Sequence, residues 1–259
     1  MRRAALACLA ACLPIGAPAF AQDHYQSSPE RRIVVDKDWG PWLGPYRATL
    51  VPSLMQDFGE RYLYAPVNRA LPPPRPGERR VVFLGDSITD LWDLSRSFPG
   101  KPYVNRGIGS QVTAQMLLRF HQDVIALRPA AVVILAGVND LQGVLQQETA
   151  EQIETHYEAM ADLADRHGIA VVFGSILPIN NYTDNARDML KERDPATLRA
   201  FCRRRGYGFA DYYPALADAH GLLRRDLTRD GLHPLASGYA RMAPIAQAAI
   251  DHALVRRKR

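Results

Sequence analysis

Two short groups of polar residues in this 259-residue chain have the side chains needed for nucleophilic catalysis. The tripeptide Gly85-Asp86-Ser87 follows four apolar residues and precedes a helical pattern. A serine at such a strand-to-helix junction exposes its Oγ beside the free N–H groups of the helix N-terminus, as a nucleophile in an α/β enzyme does. Serine is also a preferred N-cap residue, so the tripeptide alone leaves a capping role for Ser87 open.

A serine hydroxyl is a poor nucleophile until a base removes its proton, and histidine is the usual base. Of the seven histidines, His233 alone stands in a Gly/Pro-rich loop, three residues after Asp230. This spacing allows the Asp230 carboxylate to accept from Nδ1–H of His233 and leaves Nε2 facing Ser87. An Asx-type turn at Asp230-Gly231 with a buried His233 is the alternative interpretation.

Strands and helices alternate after residue 79, and their lengths determine where such polar groups would meet. The apolar patterns predict strands at 80–85, 103–106, 131–136, 169–176 and 207–211, with helices at 111–127, 148–167 and 239–254. Short buried strands alternating with long helices indicate a parallel sheet covered on both faces. Ligands bind beyond the carboxyl ends of the strands in such sheets.

Polar blocks follow three of these strands, and a fourth block lies near the C-terminus. The blocks are Gly85-Asp86-Ser87, residues 105–111 with the turn Gly107-Ile108-Gly109-Ser110, Gly137-Val138-Asn139-Asp140, and Asp230-Gly231-Leu232-His233-Pro234. Together, at one rim of one sheet, they would supply a nucleophile, backbone N–H donors, an amide donor, an acid and a base.

In this order the four blocks resemble those of the SGNH hydrolases, also called the GDSL esterase/lipase family, over residues 80–254. The resemblance implies a three-layer α/β/α, flavodoxin-like fold with a parallel central sheet. It also implies ester hydrolysis through an acyl-enzyme. Ser87, His233 and Asp230 would form the catalytic triad.

The resemblance further implies an oxyanion hole made of the backbone N–H groups of Ser87 and Ser110 and the side-chain amide of Asn139. Relatives usually have a Gly-Gly pair where this chain has Gly109-Ser110. If that turn needs a positive φ, Ser110 would be strained, and Gly109 is the fallback donor. A loop turn is the alternative role for Asn139.

Several other residues have simpler expected roles. Asp86 is expected to cap the helix after it or to hold the third block. Asp140 and Gln142 would shape one wall of a cleft and residues 178–183 another, unless both are ordinary surface loops. A helix is expected at 54–62, and Cys202 fits a half-buried structural thiol.

The N-terminus has the pattern of a secretory signal, with Arg2-Arg3, an apolar stretch and Ala19-Phe20-Ala21 before Gln22. We expect residues 1–21 to be removed, which predicts export to the periplasm or medium. Processing before Cys12, giving a lipid-anchored protein, is the alternative. Residues 22–78 would form an arm with a proline-rich connector, residues 79–255 the hydrolase domain, and residues 256–259 a basic tail.

Composition limits the partners. The 32 basic and 27 acidic side chains give a charge of +5, and loss of Arg2 and Arg3 would leave +3, without the basic stripes of a nucleic-acid protein. The sequence shows no metal-ligand spacing or phosphate loop, so we expect no cofactor and no metal. The apolar stretch at the N-terminus is too short to span a bilayer, so we expect no stable membrane insertion. The expected substrate is a small-molecule or carbohydrate ester with a short acyl or acetyl group.

The same residues would also serve other functions. A glycan O-acyltransferase of the cell envelope would use the same triad, and so would a lysophospholipase or thioesterase. A non-catalytic binding protein could retain the fold.

Overall fold

Five short parallel strands form the centre of the protein in a computed structural model, which describes residues 48–145, 147–180 and 195–256, without the side chains of 195–197. The strands are β1 (Val81–Gly85), β2 (Tyr103–Gly107), β3 (Ala131–Leu135), β4 (Ala170–Gly174) and β5 (Gly208–Ala210). They lie in the order β2-β1-β3-β4-β5, and every pair is parallel. This is the flavodoxin-like strand order. All residues of β1, β3 and β4 are buried, which explains their unbroken apolar sequences.

Helices connect the strands and cover both faces of the sheet. They are α1 (Ala65–Ala70), α2 (Ser87–Asp90), α3 (Leu94–Ser97), α4 (Thr113–Asp123), α5 (Val138–Gln142), α6 (Ala150–Arg166), α7 (Pro195–Arg205), α8 (Tyr213–Leu216) and α9 (Ala236–Arg256). Helices α4 and α6 pack against each other, whereas α9 packs on β3, β4 and β5 and contacts α3. The predicted three-layer α/β/α fold is confirmed. Within the described ranges, no helix combines the length and the apolar character needed to cross a bilayer.

The predicted elements and the observed ones differ mainly at their ends. The helix predicted at 111–127 is α4 followed by a 3₁₀ turn at Ile125–Leu127. Helix α6 begins where Thr149 Oγ1 accepts from the N–H of Gln152, while Gln152 Oε1 accepts from the N–H of Thr149. This reciprocal capping box satisfies two N–H groups at the helix start.

The helix predicted at 54–62 is wrong. Residues 48–54 are helical, and turns occupy the following ten residues before α1. The side chain of Asp57 accepts from the N–H of Arg61 at 2.7 Å, and Glu60 has a φ of +50°. A local side-chain bond and a left-handed residue both compete with helix formation, which the apolar spacing alone does not show.

Glycine at two strand ends allows α2 to lie directly on the sheet. A Cβ at Gly107 would be 2.1 Å from the backbone nitrogen of Asp90. A Cβ at Gly85 would be 2.1 Å from Thr89 Oγ1 and 2.5 Å from the carbonyl oxygen of Leu135. Only glycine permits backbones to approach so closely, and this approach fixes the position of Ser87 at the start of α2.

Candidate active site

The structure brings Ser87 and His233 into hydrogen-bond contact across 146 residues of sequence, with Nε2 of His233 2.9 Å from Oγ of Ser87. Asp86, not Ser87, caps α2, because Asp86 Oδ1 accepts from the N–H of Ile88 at 2.9 Å. The expected capping role of Asp86 is therefore confirmed. Ser87 is the first residue of the helix, and its hydroxyl faces the imidazole.

Asp230 contacts His233 with both of its carboxylate oxygens. Oδ2 lies 2.6 Å from Nδ1 of the imidazole, and Oδ1 accepts from the backbone N–H groups of Leu232 and His233 at 2.9 and 2.8 Å. An Asx-type turn at Asp230 and a contact between Asp230 and the imidazole were alternatives from the sequence, and the structure contains both. An antiparallel bridge between Thr228 and Pro234 closes the loop around them.

The pKa of the Asp230 carboxyl reflects these contacts. Partial burial favours the neutral acid, but hydrogen bonds from the imidazole and backbone of His233 and from Leu232 outweigh it and hold the pKa well below its usual range. Asp230 is therefore a carboxylate throughout the neutral range. A fixed negative charge at Nδ1 holds the ring in the tautomer whose Nε2 can accept a proton.

The second polar block provides the strained turn that its sequence suggested. Ser110 has a φ of +66°, in the left-handed region, whereas Gly109 is not among the residues with positive φ. Asn139 lies on α5, 3% exposed, and its Nδ2 donates to the backbone carbonyl of Gln111 at 3.0 Å. An amide has two N–H bonds, and this contact uses one of them. Asn139 and the peptide after Gln111 are thus neighbours.

Asp140 does not form a cleft wall, which corrects the expectation from sequence. Its side chain is fully buried and accepts from the N–H and the hydroxyl of Thr113 at 2.9 and 2.5 Å. This contact joins the third block to the start of α4. Burial raises the pKa of Asp140, against the opposing effect of the Thr113 hydrogen bonds.

His156, which was not singled out from the sequence, belongs to the same cluster. Nδ1 of His156 lies 2.8 Å from the Thr113 hydroxyl and 3.4 Å from a carboxylate oxygen of Glu148. Potential metal ligands on Asp140, Glu148 and His156 lie within 4.8 Å of one another, a grouping that the sequence spacing did not indicate. The Thr113 hydroxyl bridges two of these side chains, so the contacts define a hydrogen-bonded cluster supporting the Asn139 helix.

Asp86 is an unusual carboxyl because it is fully buried next to Ser87. Burial raises its pKa to about 7, and repulsion from Asp140 acts in the same direction, against the hydrogen bond from Ile88. Its Oδ2 has no hydrogen-bond partner among the described residues. A protonated carboxyl is therefore the lower-energy form of Asp86 in mildly acidic solution.

Cys202 is 1% exposed rather than half-buried, and burial raises the pKa of its thiol to about 12, consistent with a structural role.

The other cleft wall was expected at residues 178–183, of which residues 181–183 lie outside the described ranges. The neighbouring Asn180 donates its N–H to the carbonyl of Gly231, so residue 180 contacts the loop that carries His233.

Two buried residues that support these groups, Arg119 and Gln111, were not predicted from the sequence. Arg119 is fully buried and donates to the carbonyls of Arg106 and Gly85 at 2.8 and 3.1 Å. Gln111, also fully buried, accepts from Nε of Arg119 at 2.6 Å. A charged residue between Met116 and Phe120 on an apolar helical face was the available signal.

A cavity of about 900 Å³ lies beside the loop of His233, between α3 and the start of α9. Leu91, Phe98, Pro234, Tyr239 and Ala243 are among its lining residues. Pro234 directly follows His233 in sequence, but the lining of the cavity includes neither His233 nor Ser87.

Comparison with known proteins defines the class. The profile of the GDSL-like lipase/acylhydrolase family matches residues 83–241, which include all four polar blocks. A solved structure from Bacteroides fragilis, described as an acylhydrolase, has 33% sequence identity and a TM-score of 0.71, with 76% of this chain and 99% of that chain covered. This protein is a carboxylic ester hydrolase. It belongs to the GDSL-like lipase/acylhydrolase family.

Two further structures agree in fold. A GDSL-like lipase from Bacteroides thetaiotaomicron has 32% identity and a TM-score of 0.70, covering 75% of this chain and 98% of that chain. An acetylxylan esterase from Geobacillus stearothermophilus has 20% identity and a TM-score of 0.54, covering 66% and 94%. The search of curated proteins gives no match.

The raised pKa of Asp86 predicts a pH-dependent stability that Asp86→Asn should alter. A folded-state pKa of about 7 lies above the usual 3.8, so Asp86 contributes stability below pH 4, and this is lost as the pH rises through 7. Asparagine does not titrate, so the free energy of unfolding of the wild type should fall relative to that of Asp86→Asn between pH 4 and 8. Urea unfolding across this range measures the difference. Parallel pH profiles would contradict the prediction.

Proposed function

We propose that the protein is an exported serine esterase that hydrolyses short-chain acyl or acetyl esters through Ser87, His233 and Asp230. The observation that carries the proposal is the continuous contact from the Ser87 hydroxyl to Nε2 of His233 at 2.9 Å and from Nδ1 to Asp230 at 2.6 Å. A nucleophile, a base and a group that orients the base stand in the order that acyl transfer requires.

In the first half of the reaction, Ser87 Oγ forms a bond to the carbonyl carbon of the ester while its proton moves to Nε2 of His233. The carbonyl oxygen gains a negative charge, which the N–H groups of Ser87 and Ser110 and the amide of Asn139 stabilise. As the tetrahedral intermediate breaks down, the C–O bond to the alcohol breaks. The alcohol leaves with the proton from Nε2, and the acyl group remains on Ser87.

In the second half, water takes the place of the alcohol. Nε2 of His233 removes a proton from water as the oxygen attacks the acyl-enzyme, and a second oxyanion forms at the same donors. Collapse of this intermediate returns the proton to Ser87 and releases the carboxylic acid. Throughout, the Asp230 carboxylate stabilises the positive imidazolium without taking its proton.

Related structures support the assignment of the acid and the base. Catalytic mutants of the Geobacillus acetylxylan esterase replace an aspartate and, three positions later, a histidine. Asp230 and His233 have the same spacing. An acetyl ester as the substrate of that enzyme also favours a short acyl group for this one.

Ser87→Ala should reduce hydrolysis of an aryl acetate to no more than about one part in 10⁴ of the wild-type kcat, since the bond-forming atom is lost. The exposed Ser95→Ala on α3 is the matched control and should retain turnover. Initial rates with purified protein measure both variants. Turnover by Ser87→Ala equal to that of the wild type would exclude the serine mechanism.

The chain-length preference is tested with the same assay. The proposal expects kcat/KM for aryl acetate to exceed that for aryl palmitate, and faster turnover of palmitate would contradict it. Adding a sugar acceptor and analysing products separates hydrolysis from acyl transfer, because a transferase would form the sugar ester instead of the free acid.

Asn139→Ala should lower kcat by about 100- to 1000-fold with little change in KM, because the amide acts on charge that develops only in the transition state. Gln247→Ala removes a half-buried amide that contacts Tyr103 and Asp251, far along α9, and serves as the control. A large rise in KM with kcat unchanged would assign Asn139 to substrate binding in the ground state instead.

Export is proposed from the signal pattern alone. Expression of the full chain in a bacterium with fractionation should give a periplasmic or secreted protein that begins at Gln22 by intact mass. A lipid-modified mass beginning at Cys12, or retention of residues 1–21, would contradict cleavage after Ala21.

A further inference from the structure

We propose that Gln111 is a positioning residue that holds two oxyanion donors in place, with its side chain bound between Glu60 of the N-terminal arm and the buried Arg119. The inference rests on the proposed function, since it concerns the donors Ser110 and Asn139. It adds supporting residues to that site, two of which belong to no polar block and one of which lies before the matched segment 83–241.

The Gln111 side chain is held at both of its polar atoms. Its Oε1 accepts from Nε of Arg119 at 2.6 Å, and its Nε2 donates to a carboxylate oxygen of Glu60 at 3.0 Å and to the carbonyl of Gly59 at 3.2 Å. Gln111 is fully buried and Glu60 is 7% exposed. A buried amide with every polar atom bonded has one permitted orientation, so the backbone that carries it is fixed.

Backbone strain stands on both sides of this contact. Ser110, immediately before Gln111, has a φ of +66°, and Glu60 has a φ of +50°. A residue with a Cβ is strained in the left-handed region, and this conformation persists only where the surroundings enforce it. The hydrogen bonds of the Gln111 side chain are the contacts that enforce this conformation next to Ser110. They fix the backbone of the turn that carries the N–H of Ser110.

The second donor depends on the same residue. The backbone carbonyl of Gln111 accepts from Nδ2 of Asn139 at 3.0 Å, which sets the plane of the amide. A shift of the 110–111 turn would therefore move the Ser110 N–H and rotate the Asn139 amide together. Misplacement of donors by about 1 Å can cost 100-fold in rate.

Arg119 connects this turn to the strand that leads to the nucleophile. Besides Gln111, its guanidinium donates to the carbonyl of Gly85 at 3.1 Å and to Asp123 at 3.1 Å. Gly85 stands two residues before Ser87. One buried cation thus joins the strand of the nucleophile to the turn of the oxyanion donor, and pairing with Asp123 makes its burial tolerable.

The arm supplies further contacts to the same turn. The Tyr64 hydroxyl donates to the carbonyl of Gly107 at 2.5 Å, and Nε2 of Gln115 donates to the carbonyl of Phe58 at 2.8 Å. Segment 58–64 therefore packs against the turn and against the start of α4. The arm is a part of the active-site scaffold in addition to covering α4.

The test exchanges the two side chains that meet. Gln111→Glu places two carboxylates against each other and should lower kcat for aryl acetate at pH 8 by about 10- to 100-fold with KM changed less than about threefold. Glu60→Gln combined with Gln111→Glu restores a donor opposite an acceptor and keeps the bond to Arg119. The double variant should recover at least half of the loss on a logarithmic scale.

Stability controls separate positioning from general damage. Tyr207→Phe removes a hydrogen bond to Asp165 at the amino end of β5 and should lower Tm without lowering kcat. If Gln111→Glu does not fold, Glu60→Ala replaces it, with an expected loss of kcat of at least about threefold, of which Glu60→Gln should recover half. Unchanged kcat in folded Gln111→Glu or Glu60→Ala overturns the inference, as does a double variant that regains Tm but not kcat.

A second readout keeps this inference distinct from the proposed function. A fluorophosphonate probe forms a tetrahedral adduct with an activated serine, so its labelling rate needs no knowledge of the natural ester. Absence of labelling in the wild type, or equal labelling of Ser87→Ala, contradicts the proposed function. A wild type that labels at Ser87, with the same rate in Gln111→Glu, contradicts the positioning role alone.

Discussion

The close approach of three backbones at one edge of the sheet is the constraint on which the site depends. Gly85 pairs in register with Gly107 on one side and with Leu135 on the other, so β1, β2 and β3 end at the same level. Side chains at the first two positions would overlap Asp90 and Thr89. Glycine there lets α2 begin directly on the sheet, and the polar blocks that follow each strand meet as a consequence.

Polar groups buried behind this edge need partners, and the partners they find connect the blocks. Asp140 is satisfied by Thr113 at the start of α4, and Arg119 by two carbonyls, Gln111 and Asp123. An unpaired buried charge would cost several kcal/mol, so each of these groups is held against its partners. Asp86 differs from these groups, since its Oδ2 has no hydrogen-bond partner among the described residues and burial raises its pKa.

Much of the fold followed from short-range patterns, because buried parallel strands are continuous apolar runs and amphipathic helices have a 3.6-residue period. The candidate side chains came from the four short blocks and from the resemblance of those blocks to a known family. The rest depends on long-range contacts. The apolar spacing of 54–62 indicated a helix, but Asp57 and Glu60 form turns against α4. Asp140 was expected in a cleft wall, but its carboxylate is buried against Thr113, which is distant in sequence. No local pattern pairs Gln111 with Glu60, 51 residues away.

The two halves of the site are built in different ways. The Asp230–His233 half lies in a partly exposed loop and is stabilised locally, with the aspartate bonded to residues at most three positions away. The proposed oxyanion half is held from within by side chains distant in sequence, which lie on the turns before α1, on α4 and on α5. Local hydrogen bonds orient the imidazole, whereas the buried contacts position the proposed donors. The arm carries none of the proposed reacting groups, so it contributes to the geometry of the site rather than to proton transfer.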